Sequence, residues 1–198
     1  MNHHPLLDKI EAGEYRIVFH GSAQVIRAFT ETGVGRGADC NSALGLFASE
    51  IPENAAEYAQ NAVNGGEGET AHVYVVAIPC RKPYTSMDRN RFYGLDDDDI
   101  PLMNHAQFAT QRRQLLAQGY DVVDYEGDGD DVISVSLSPE KALILADLSY
   151  EQALGLQEDG LVLFDSVSIY KQLIEKLPLE MAYAPIVPRA SNHEGYSL

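Results

Sequence analysis

The chain of 198 residues carries 14 Lys and Arg against 30 Asp and Glu, a formal charge of −16 with neutral histidines. That excess argues against nucleic-acid backbones and anionic membranes as partners, because both need a basic surface that displaces counterions. Hydrophobic residues at 45% and charged residues at 22% can build a core, which rules out a disordered chain.

Residues 1–8 hold no basic segment followed by an apolar one, so no secretory signal is expected. Residues 15–19 alternate as a strand does and deliver His20, Gly21 and Ser22 to its end. Residues 23–30 read as a helix, and Gly33, Gly35 and Gly37 then mark a loop; without a βαβ frame their spacing reads as flexibility rather than phosphate binding. Residues 44–48 form a short apolar strand, followed by a helix over 53–62 whose Ala55, Ala56 and Ala59 allow close packing. Residues 64–69 are a polar loop, and the β-branched run 73–78, bounded by Pro79, is a buried strand. The longest apolar run, 73–80, is far short of the roughly 20 residues that span a membrane.

Two long connections follow, 81–93 and the acidic 95–100, before an amphipathic helix over 104–118 that Gly119 stops. Strands over 120–125 and 132–137 flank a Gly- and Asp-rich turn at 126–131, as in a hairpin. An apolar segment at 142–145 leads to helices over 150–157 and 166–177. Strands and helices without regular βα alternation predict an α+β fold rather than a doubly wound sheet.

Neither a serine-hydrolase elbow, nor a P-loop, nor a zinc-protease motif, nor a Cys-x-x-Cys pair occurs. Asp124, Glu126, Asp128 and Asp130 have the spacing of a calcium loop with Gly129 in place, but Val135 stands where a bidentate Glu is needed, so no metal is expected. Cys40 and Cys80 make no disulfide framework; reduced thiols and a cytoplasmic location, in the producing cell or a host, are the expectation.

Three ordered pieces carry more than any single motif. Phe19-His20-Gly21-Ser22, then Gly45-Leu46-Phe47-Ala48-Ser49 with Ala55-Ala56-Glu57-Tyr58-Ala59, then the strand 73–78, resemble the NAD-binding core of H-Y-E ADP-ribosyltransferases, the diphtheria-toxin and PARP type. The closest likeness is to compact versions from phages and bacterial mobile elements, and it extends over residues 15–145 through Gly119-Tyr120-Asp121 and the strand running into Pro139. The resemblance implies a split-sheet ADP-ribosyltransferase-like domain over 1–148 with a C-terminal helical extension at 149–198. It also implies NAD as a substrate. His20 would bond the adenosine ribose, the Gly21 backbone would bind the nicotinamide amide with Ser22 beside it, Tyr58 would stack on nicotinamide, and Phe47 would be the aromatic of the second motif. Each has a plainer alternative: a strand-end histidine bonded to backbone, a core phenylalanine, a tyrosine packed among alanines.

Cleaving the nicotinamide–ribose bond develops an oxocarbenium-like cation that a carboxylate must face. Where the family has its Glu, this sequence has Ile133. Two residues earlier, on the same strand face, stands Asp131, the expected catalytic carboxylate, with its neighbour Asp130 and the more distant Glu126 as alternative candidates. The implied activity is mono-ADP-ribosyl transfer from NAD to a macromolecular acceptor, expected to be a protein, as in a phage or bacterial effector toxin. The alternatives are NAD hydrolysis and a non-catalytic acidic interaction protein on the same fold.

Overall fold

The computed structural model describes residues 5–35, 39–86, 92, 103–126, 131–158 and 166–176; the acidic stretch 95–100 and the turn residues Asp128 and Asp130 lie outside them. A short helix, α1 (Pro5–Glu11), precedes β1 (Tyr15–Ser22). Residues 23–30 are not the expected helix. The Tyr74 hydroxyl donates to the Gln24 carbonyl at 3.1 Å and accepts the Ile26 amide at 2.7 Å, and the Gln24 side chain donates to the Glu67 carbonyl. Backbone groups that a helix would pair internally are therefore taken up by the sheet.

The second strand, β2 (Leu46–Ser49), starts two residues later than expected, because a 3-10 turn at Cys40–Ala43 and a helical Leu44 precede it. Then come α2 (Pro52–Asn64), with Pro at its first position, and β3 (His72–Pro79). The connection after β3 contains an unexpected edge strand, β4 (Pro83–Ser86). It is four residues long, begins with a proline that cannot donate, and pairs in parallel with a strand nearly 40 residues on, so no local pattern announces it. A capping box between Asn104 and Gln107 opens α3 (His105–Ala117), and Gly119 ends it with φ of 81°. The hairpin of β5 (Val122–Glu126) and β6 (Val132–Ser136) is followed by β7 (Leu143–Ser149), α4 (Tyr150–Glu158) and α5 (Ser166–Lys176).

The seven strands form one sheet in the order β4-β5-β6-β2-β1-β3-β7, antiparallel except for β4 with β5. Helices and sheet together make an α+β fold. Because directly paired residues share a face, Phe19, Ser49 and Ile133 lie on one side, as do Val123, Val135 and Phe47. All five described helices cover that side. Ile17, Phe19, Val73 and Val75 pack against Ile10, Ala55, Ala56, Ala153, Ile169 and Leu173, while Val123, Tyr125 and Val135 pack against Phe108 and Leu115 of α3. The C-terminal helices α4 and α5 thus share a core with β1 and β3. On the opposite side Val18, Leu46, Ala48, Tyr74, Val76 and Ile78 meet no described helix; Ile26 and Phe29 of the irregular segment lie over them. Burying each such aliphatic side chain contributes roughly 1.5 to 3 kcal/mol, which explains why β3 is apolar on both faces.

Candidate functional site

On the helix-covered face, Asp131 stands at the entrance of β6 with only 2% of its surface exposed. Ser49 donates its hydroxyl to Oδ1 and Oδ2 at 3.0 and 2.9 Å, and Asn54 in the first turn of α2 donates to Oδ2 at 2.8 Å. Burial pushes the Asp131 carboxyl above the usual carboxylate range, against the lowering pull of these donors. Phe47 is half-buried on the same face, two residues before Ser49, against the cluster of Val135 and Val123. Tyr58 follows Asn54 by four residues, one helical turn along the same side of α2, and is 62% exposed.

Gly21 also belongs to this face. A Cβ there would run into the Ala55 carbonyl and come within 3.0 Å of the Ala59 amide nitrogen. Its missing side chain is what lets α2 lie directly on β1, so Tyr58 is carried close above the strand end.

His20 points the other way. Its Nδ1 is 2.7 Å from the Phe47 carbonyl, and because a carbonyl only accepts, Nδ1 carries the hydrogen and Nε2 is left as an acceptor. Burial lowers the imidazole's pKa, opposed by the Phe47 bond, so the ring is neutral at physiological pH. Phe29 meets it edge-on at 5.3 Å and Tyr74 lies roughly parallel at 6.4 Å between centroids. Ser22, at the end of β1, accepts the Gln24 amide at 3.0 Å. The fold therefore does not bring Asp131 to His20: they occupy opposite faces, because His20 follows Phe19 by one residue and Phe19 pairs with Ser49.

On the same face as His20 lies a partly buried charged centre. Arg16 donates through Nη1 to Asp124 at 2.8 Å and to Ser134 at 3.0 Å, and Ser134 donates to Asp124 at 2.9 Å. Glu50 stands 3.4 Å from the same guanidinium nitrogen. Burial raises the Glu50 carboxyl; Arg16 opposes this, and the carboxylates of Asp124 and Asp131 add to it. Among the described residues, no group of three or more His, Cys, Asp or Glu side chains could hold a metal ion, and no helix is long and apolar enough to cross a membrane.

No protein-family model and no curated protein matches this sequence. The chain is similar in structure to a chain of the M. tuberculosis MbcT-MbcA toxin-antitoxin complex. That likeness covers 77% of this chain and 97% of the other, at 10% identity and a TM-score of 0.46. An anti-CRISPR protein is similar over 69% of this chain and 97% of its own, at 18% identity and a TM-score of 0.38. Likenesses this distant carry no functional argument, which rests on the residues.

Sequence reasoning missed His72, Tyr74 and Asp147, which share the His20 face. Asp147 sits two residues beyond the end of the apolar run at 142–145, and its pairing with β3 follows from a register shift at Val75 and Val76 that no pattern reveals. The Arg16 centre was equally hidden, since Arg16 and Asp124 are 108 residues apart.

Proposed function

We propose that the protein transfers the ADP-ribosyl group of NAD to a macromolecular acceptor and releases nicotinamide. The observation that carries this reading is Asp131: a buried carboxylate held by Ser49 and Asn54 on the same side of the sheet as Phe47, with Tyr58 one turn along the helix that supplies Asn54. Such a group needs no reorganisation to face a developing cation, and nearby aromatic rings suit the flat nicotinamide that leaves. As the bond between the ribose anomeric carbon and the nicotinamide nitrogen breaks, its electron pair goes to nicotinamide and the carboxylate stabilises the cation. The acceptor's nucleophile then bonds to that carbon. His20 lies on the opposite face of the sheet from this carboxylate, so the ribose contact that the resemblance gives it is not part of the arrangement that supports the reading.

A second reading draws on the same carboxylate. Both Asp131 oxygens already have donors, as in a residue that only ties β6 to the start of α2, and a non-catalytic acidic interaction protein would need no more. Incubation with NAD labelled in the adenylate separates these readings. Label on a macromolecule supports transfer, free ADP-ribose supports hydrolysis, and intact NAD after long incubation overturns the enzymatic reading.

A further inference from the structure

A groove of about 490 Å³ runs along α3, and its walls include Met103, Asn104, Gln107, Thr110, Gln111 and Gln114. Gln107, Gln111 and Gln114 follow one another by four and three residues, so their carboxamides form one stripe along the helix. Gln111 stands between Phe108 and Leu115, which pack on Val123 and Val135 of the sheet. It is 8% exposed, and its Oε1 is buried without a hydrogen-bond donor. A buried acceptor left open opposes folding, so its place here is explained by a donor that arrives from outside. At the start of the helix the capping box takes up Asn104 Oδ1 and Gln107 Oε1, at 3.0 and 2.8 Å, which leaves the two amide nitrogens as donors. Charge sets this helix apart as well. The chain has 30 acidic residues, yet 104–118 holds none. Arg112 is taken by Glu31, whereas Arg113 reaches the groove wall, its Nη2 donating to Thr110 Oγ1 at 2.8 Å.

We propose that this groove docks an extended peptide segment of a protein partner, read through its backbone, with an acidic side chain of that segment over Arg113. A carboxamide donates and accepts as a peptide group does, so a row of carboxamides complements a row of peptide groups. The spacing agrees. Gln107 and Gln111 are separated by a rise of about 6 Å along the helix, and alternate residues of an extended chain present N–H and C=O on the same edge about every 6.7 Å. Gln111 Oε1 takes a peptide N–H, and the amide nitrogen of Gln107 donates to a peptide carbonyl. From Asn104 to Gln114 the helix rises about 15 Å, roughly the length of five extended residues. Carboxamides also suit the edges of nucleobases, but a nucleic acid would bring its phosphates against a chain of charge −16. The proposal goes beyond the NAD reading and stands without it, since neither Asp131 nor Tyr58 lines the groove.

The test titrates the full chain, labelled with nitrogen-15, with a blocked hexapeptide of alanine and serine carrying one central aspartate, and follows the glutamine side-chain amide resonances. Those of Gln107, Gln111 and Gln114 should shift and saturate. The same peptide methylated on alternate backbone nitrogens should bind about 5-fold more weakly or worse, the scale of one lost hydrogen bond, and so should a peptide with lysine in place of aspartate. Gln111→Leu should weaken the aspartate peptide about 5-fold while raising the melting temperature, because an apolar group of similar size replaces an open acceptor. Arg113→Ala should abolish the preference for aspartate over lysine and keep the methylation penalty. Glutamine amides that do not move, or a methylated peptide that binds as well as the parent, overturn the groove as a peptide site. A lower melting temperature for Gln111→Leu overturns the open acceptor on which the proposal stands, and a charge preference that survives Arg113→Ala overturns the acidic assignment.

Discussion

Ser49 donates one hydroxyl to both carboxylate oxygens of Asp131, across 82 residues of sequence, and so joins β2 to the entrance of β6. The same Oγ accepts the Ile51 amide at 2.8 Å, which ties the carboxylate to the backbone that starts α2. A carboxylate fixed this firmly either stabilises a cation or holds the chain together, and charge and shape can be changed separately. Asp131→Asn keeps the shape. If the residue faces the ribosyl cation, nicotinamide release falls by about 100-fold or more while NAD affinity holds. Release unchanged in a folded Asn variant, measured by stopped nicotinamide assays, leaves Asp131 only its tie between strands.

Linkage gives Asp131 a pH signature independent of activity. Its folded pKa is raised, so its contribution to stability is present in full below the unfolded carboxylate value of about 3.9 and is lost as pH rises through the folded value. The melting-temperature advantage of wild type over Asp131→Asn should therefore shrink from pH 4.5 to pH 7. An advantage that grows over that interval contradicts the burial-driven shift.

Tyr58 and Phe47 separate binding from stability. Tyr58 is 62% exposed, so Tyr58→Ala should change stability by no more than about 0.5 kcal/mol. If the ring stacks on nicotinamide, NAD affinity should fall by about 1 kcal/mol or slightly more. Phe47 is half-buried against Val135, and Phe47→Ala should cost less than the about 3 to 5 kcal/mol of a fully buried ring. Denaturant unfolding and calorimetry on the same preparations decide both; NAD affinity untouched in the double variant removes the aromatic site.

The sequence made most of the sheet legible, and the physical reasons are local. In β3 a run of β-branched residues has no polar face to confuse its period; the β5 and β6 hairpin is marked by its Gly and Asp turn; α3 carries its own stop at Gly119. What escaped depends on partners distant in the chain. Residues 23–30 have helical composition, yet Tyr74, 48 and 50 residues away from its two backbone partners, claims their hydrogen bonds. The candidate site divides the same way. Strand alternation already implied that His20 and Gly21 face opposite sides, but only the pairing of Phe19 with Ser49 reveals that Asp131 lies on the side away from His20.

Acid should act on His20 in the opposite sense to Asp131. Its folded pKa is lowered by burial, so the stability that goes with the neutral ring is present above the unfolded value of about 6.5 and is lost as pH falls through the folded value. His20→Asn can still donate to the Phe47 carbonyl but does not titrate. The stability of wild type relative to this variant should decline from pH 7 toward pH 5, read from urea midpoints. A constant difference would mean that His20 is not desolvated in solution.

Arg16 and Asp124 make a polar contact that is costly to break. Asp124 is 7% exposed and takes donors from both Arg16 and Ser134. Arg16→Met leaves that carboxylate, and Glu50 nearby, without a cation and should destabilise by about 3 to 5 kcal/mol. Arg16→Met with Asp124→Leu should recover much of the loss, since no unpaired charge stays buried. A double variant as unstable as the single one would locate the cost in packing.

Gly21 is where the two roles given to one residue can be pulled apart. The resemblance assigns its backbone to the nicotinamide amide, whereas the fold uses its missing Cβ to admit the Ala55 carbonyl of α2. Adding a methyl group forces helix and strand apart, and overpacking of this kind costs about 1 to 3 kcal/mol, more here because the obstacle is backbone and cannot rotate away. Gly21→Ala should therefore lose stability in the absence of NAD. Its NAD affinity alone cannot test the backbone contact, since a shifted α2 also moves Tyr58. Trimming the helix side is no remedy, because Ala55 meets Gly21 through its main chain. If Gly21→Ala melts at the wild-type temperature and loses only NAD affinity, the close approach of α2 to β1 is absent in solution and the glycine serves the ligand.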